Sequence, residues 1–108
     1  MIWIVETLNE NVDAELDALP PYLQGRFLQL MDRIESVGLE HMREPHVKHI
    51  EGKLWELRAK AEEGAARGLY ITASGKRLII LHIFMKKSQK TPRTALNIAR
   101  QRMKEAQL

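Results

Sequence analysis

The residues of this 108-residue chain best suited to chemistry are two arginines and a cluster of lysines. Arg58 and Arg67 stand in stretches that read as partner strands of a hairpin. Lys86, Lys87 and Lys90 follow the apolar run Leu78 to Met85, which should pair beside Arg67. Such an arrangement gathers cations on one side and toward one end of a sheet, with the Arg67 side chain on the solvent face. Forked guanidinium donors bind two phosphate oxygens and stay charged at every relevant pH, so the pattern suits the gripping of a polyanion. For any single member the competing account is a solvated cation or an ion pair with Glu56 or Glu51. Arg67 stands apart because it sits between Ala66 and Gly68, small residues that would let a ligand backbone approach closely.

Other chemistries find little in the sequence. There is no cysteine, so disulfides and thiolate metal sites are excluded and the fold rests on packing. His41, His46, His49 and His82 do not form a pair on one helical face, and no tight carboxylate cluster joins them, so no metal site and no cofactor is expected. Gly64, Gly68 and Gly75 are separate turn or strand glycines rather than a phosphate loop. Nothing suggests an activated setting for Ser36, Ser74 or Ser88. Trp55 alternates with Leu57 and reads as core. Tyr70 falls on the opposite strand face from Arg67, either packed under helices or near enough to the strand end to reach a substrate. His82, inside an apolar strand, reads as a hydrogen-bonded interior residue, with a general-base role as the alternative.

These residues depend on a single small domain spanning 1–108 to position them. Met1 to Glu6 is apolar and partly β-branched, as a strand would be. Asn9 or Asn11 can cap a first helix carrying Leu8, Val12, Leu16 and Leu19. Pro20 and Pro21 break it and start a second, whose apolar face holds Leu23, Phe27, Leu30, Met31 and Ile34, with Gly38 as its stop. Acidic outer faces are expected on this helical hairpin. From residue 46 the pattern changes to strands: Val47 to Ile50, Leu54 to Lys60, Arg67 to Thr72 and Leu78 to Met85, joined by turns at Gly52-Lys53, Glu62-Glu63-Gly64 and Ser74-Gly75. Thr91 and Pro92 then cap and start a last helix with Leu96, Ala99, Met103 and Ala106 on its apolar stripe.

Charge is divided along the chain. Residues 1–43 carry eight acids against three bases, a balance of −5, and residues 44–108 carry fourteen bases against six acids, a balance of +8, giving the net +3. A basic half is the footprint of a polyanion binder, because neutralised phosphates release their counterions; the alternative is a mixed solvated surface. No apolar run approaches a membrane span, and a cytoplasmic protein is expected.

The motifs LWELR at 54–58, ARGLY at 66–70 and LHIFMKKSQKTP at 81–92, with a following helix containing ARQRMKE, resemble the RelE/ParE superfamily of bacterial toxins, in particular its phage-derived, HigB-like branch. The resemblance implies an α+β fold, with an N-terminal strand and a helical hairpin packed on one face of a small antiparallel sheet, plus a C-terminal helix. It also implies a toxin of a type II toxin-antitoxin system acting as a ribosome-dependent mRNA endonuclease. In such interferases no metal is used: the ribose 2′-hydroxyl attacks the adjacent phosphate and leaves a cyclic phosphate. Arg67 matches the phosphate-clamping arginine of the second meander strand, Lys86 and Lys87 match the basic pair after the last strand, and Tyr70 is a proton carrier within reach. Arg58, Lys60, Lys90 and Arg93 extend the RNA-binding set. The tyrosine or histidine that better-known interferases carry just after the basic pair is missing. The implied partner is an antitoxin, often a helix-turn-helix protein. A non-catalytic toxin that poisons DNA gyrase and a plain nucleic-acid-binding module are the alternatives.

Overall fold

Proline, glycine and asparagine punctuate the first third of the chain. In the computed structural model, which describes residues 2–62 and 64–106, strand β1 (Ile4–Thr7) leads into helix α1 (Glu10–Asp17). Met1 of the expected first strand and Glu63 of the expected hairpin loop lie outside the described residues. The Asn9 side chain caps α1 by accepting from the backbone N–H groups of Asn11 and Val12, two donors that the helix itself cannot satisfy. Leu8 therefore precedes the helix and Leu19 follows it. Helix α2 (Pro21–Val37) begins on a proline and ends at Gly38, whose φ of 99° suits glycine alone.

Strands β2 (Val47–Glu51), β3 (Leu54–Ala61), β4 (Gly64–Ala73) and β5 (Arg77–Met85) form the antiparallel meander. β1 joins the far side of β5 in parallel, with Ile4 opposite Arg77 and Thr7 opposite Ile80. The sheet order is β1-β5-β4-β3-β2, and helix α3 (Arg93–Ala106) follows.

Helices cover both faces of this sheet, a correction to the expected one-sided arrangement. Val12, Leu16, Leu23, Phe27 and Ile34 from α1 and α2 pack on Leu57, Tyr70, Leu78 and Ile80. Ala95 and Ala99 from α3 pack on the other face, against Leu69, Ile71, Ile79 and Leu81. The cause lies in β4 and β5, which are apolar on successive residues and so must be buried on both sides. Gly68 serves this packing rather than a ligand: a Cβ there would stand 2.5 Å from Cζ of Phe27, so the ring needs the space. Trp55, expected in the core, is 39% exposed at the β2–β3 margin, where it meets His49 edge-on with ring centroids 5.0 Å apart.

Candidate nucleic-acid interface

Strand geometry brings Arg58 and Arg67 together, since they are directly opposite in the β3–β4 register. Two neighbouring guanidinium groups repel, and Glu56 resolves the conflict from two residues away on the same strand face. Its Oε1 accepts from Arg58 Nε at 3.0 Å and lies 3.5 Å from Arg67 Nη1. Oε2 accepts from the Thr91 hydroxyl at 3.0 Å. Thr91, expected as a helix cap, thus spends its hydroxyl on Glu56 instead. Arg67 Nη1 also donates to the Gln89 carbonyl at 3.2 Å, so the segment after β5 folds back over the arginine.

That closure corrects the placement of Arg67 on the solvent face: it is 3% exposed, and Glu56 is fully buried. Burial draws the Arg67 pKa below its ordinary value, Glu56 opposes the shift, and Arg58 adds to it. An arginine tolerates such a shift and stays charged. Arg58, with about a quarter of its side chain exposed, presents the pair to solvent.

The two arginines form part of a cleft of about 580 Å³. Arg26 and Arg33 of α2, Arg58 and Lys60 of β3, Arg67 of β4 and Lys86 just after β5 all line it, together with His46, Gln29 and Gln89. No carboxylate lines it among the described residues. A neighbouring depression holds Lys87 beside Lys60 and Lys86. Of the residues singled out in the sequence, Arg58, Lys60, Arg67 and Lys86 therefore share one cleft, with Lys87 at its border. Lys90 and Arg93 are exposed but do not line it. Tyr70 does not join them either. It is 1% exposed within the core on the α2 side, apart from the expected catalytic partners, and burial raises its pKa further from neutrality.

Arg26 and Arg33 were hidden by the averaged charge of their segment, where bases are outnumbered. They qualify the expectation of acidic outer faces on the helical hairpin: Glu10, Asp13, Asp17, Asp32 and Glu35 are exposed, and Arg26 and Arg33 add a basic stripe on α2. Their spacing carries the missed signal: Arg26, Gln29 and Arg33 recur at intervals of three and four, forming a stripe beside the apolar Leu23, Phe27 and Leu30.

At the opposite margin of the sheet His82 is hydrogen-bonded and largely buried, with Nδ1 3.0 Å from Glu15 Oε1. The same carboxylate accepts from the backbone N–H of Ile83 at 3.0 Å and from Arg102 Nη1 at 3.0 and 2.8 Å. Arg102 Nη1 donates to the Leu81 carbonyl at 2.9 Å as well. The cluster joins α1, β5 and α3. Among the described residues no group of side chains is arranged to hold a metal ion, and no helix is long and apolar enough to cross a membrane.

The sequence profile of the family described as phage-derived protein Gp49-like matches residues 14–104. A chain of the archaeal RelE–RelB complex from Pyrococcus horikoshii OT3 is 28% identical, with a TM-score of 0.59 over 79% of this chain and 96% of that one. The E. coli toxin RelE in the free state, carrying two arginine-to-alanine substitutions, shares the fold at a TM-score of 0.60 and 9% identity, over 95% of this chain and 99% of that one. No curated protein matches the sequence.

Proposed function

The chain belongs to the phage-derived Gp49-like family within the RelE superfamily, and from that membership we propose that it is a RelE-type toxin that cleaves mRNA on the ribosome and is restrained by an antitoxin. The observation that carries this reading is the cleft: six cations from α2, β3, β4 and the segment after β5, with no carboxylate among its described lining. A single RNA strand laid along it would have its phosphates neutralised from both walls. The reaction uses the RNA's own 2′-hydroxyl as nucleophile and requires charge stabilisation on the pentacoordinate phosphorane, which preorganised guanidinium groups supply. Glu56, Thr91 and the Gln89 carbonyl hold Arg58 and Arg67 in place beforehand. The RelE–RelB complex among the structural relatives supports a protein partner of the antitoxin type.

Induced expression followed by mapping of mRNA 5′ ends tests the reading. New ends within translated regions are expected. Growth arrest with intact transcripts would overturn it, and accumulation of cleaved DNA in a gyrase assay would transfer the protein to the gyrase-poisoning class.

A further inference from the structure

We propose that His46 is the proton acceptor of the cleft, taking the proton of the attacking 2′-hydroxyl; this rests on the RNA-cleavage reading above. Arg26, Arg33, Arg58, Arg67, Lys60 and Lys86 line the cleft, and as residue types arginine keeps its proton at any working pH and lysine has an ordinary pKa of about 10.4. An imidazole, with an ordinary value of about 6.5, is among the described residues the one lining group of a type that exchanges protons near neutrality. The alternatives are placed elsewhere: Tyr70 is in the core on the α2 side, and His82 is engaged by Glu15 at the opposite sheet margin. His49 is bonded to the Gly52 carbonyl.

The backbone fixes His46 beside the arginine pair. Its N–H donates to the Arg43 carbonyl at 2.9 Å, and its carbonyl accepts from the Arg58 N–H at 2.8 Å, while its side chain is exposed. Among the described residues, the charged groups that share the cleft with the ring are cations: Arg26 and Arg33 from α2, Arg58 and Lys60 from β3, Arg67 from β4, and Lys86. A scissile phosphate held by those cations therefore lies within the same enclosure as the imidazole. The 2′-oxygen bonds to phosphorus as its proton passes to His46. The bond from phosphorus to the 5′-oxygen breaks, and that oxygen takes a proton from the Lys86 ammonium. Solvent exchange restores both groups after the cyclic phosphate leaves.

Single-turnover cleavage of ribosome-bound mRNA by the full chain tests this, with His46→Ala and His46→Gln compared across neutral pH. Loss of a general base is expected to slow cleavage by about 10²–10⁴-fold with RNA affinity retained. The acidic limb of the pH–rate profile should vanish, and added imidazole should partly restore His46→Ala. A variant with wild-type rate and the same acidic limb overturns the assignment. So does full restoration of His46→Ala on RNA carrying sulfur at the 5′-bridging position, because that leaving group needs no proton and the histidine would then be the acid. A wild-type protein that leaves RNA uncut overturns the cleavage reading itself, and this inference with it.

Discussion

Glu56 and Arg67 meet on the diagonal of the sheet: Glu56 stands opposite Leu69 and Arg67 opposite Arg58, yet Glu56 Oε1 lies 3.5 Å from Arg67 Nη1. The contact gives Arg67 a structural role beside the one proposed for it. Arg67→Ala leaves the Gln89 carbonyl without its donor and a buried carboxylate with Arg58 as its remaining cation. The substitution should cost about 2–3 kcal/mol and abolish toxicity. Urea unfolding checks the first part, where an unshifted midpoint would return Arg67 to a purely solvent-facing role.

Arg26→Ala combined with Arg33→Ala should separate binding from folding. Both side chains are exposed, so the melting temperature should hardly change. Loss of two phosphate contacts should flatten the salt dependence of binding to a single-stranded RNA by about 1.4 in log–log slope, at roughly 0.7 per contact. The same slope as wild type would show that α2 does not touch the RNA.

Lys86→Glu should impair cleavage more than Lys90→Glu or Arg93→Glu, because only the first of these residues lines the cleft. Parallel growth assays with the three single variants provide the comparison, and equal loss across them would point to a diffuse electrostatic contribution instead.

Gly68→Ala should destabilise the protein by about 1–3 kcal/mol through overpacking, since its Cβ would stand 2.5 Å from the Phe27 ring. Phe27→Leu should recover part of that loss in the double variant. Purely additive losses, measured by thermal unfolding, would place the strain elsewhere.

Much of this arrangement is legible in the sequence because it rests on short-range rules. Asn9 caps α1, Pro21 opens α2, Gly38 closes it, and the meander follows its alternation and its turns. Burial of Arg67 was not legible, since it comes from Gln89 and Thr91, more than twenty residues away, folding over the strand face. Alternation assigned Glu56 to a polar face, but nothing in a period of two says that α3 and its approach will cover that face. Arg26 and Arg33 were obscured for a different reason: a segment-averaged charge cannot reveal a stripe of cations on one side of a helix.

The Glu15 cluster covers an edge of the sheet. β1 ends at Thr7, opposite Ile80, and among the described residues no strand neighbours the remainder of β5 on that side. Bare strand backbone is a template on which another polypeptide can add itself by hydrogen bonding. Here Glu15 occupies the Ile83 N–H and Arg102 occupies the Leu81 carbonyl, so two of the groups an incoming strand would use are engaged by charged side chains. Two residues that look, in sequence, like ordinary surface charges thus cover backbone groups that an otherwise almost wholly apolar β5 would present at that margin.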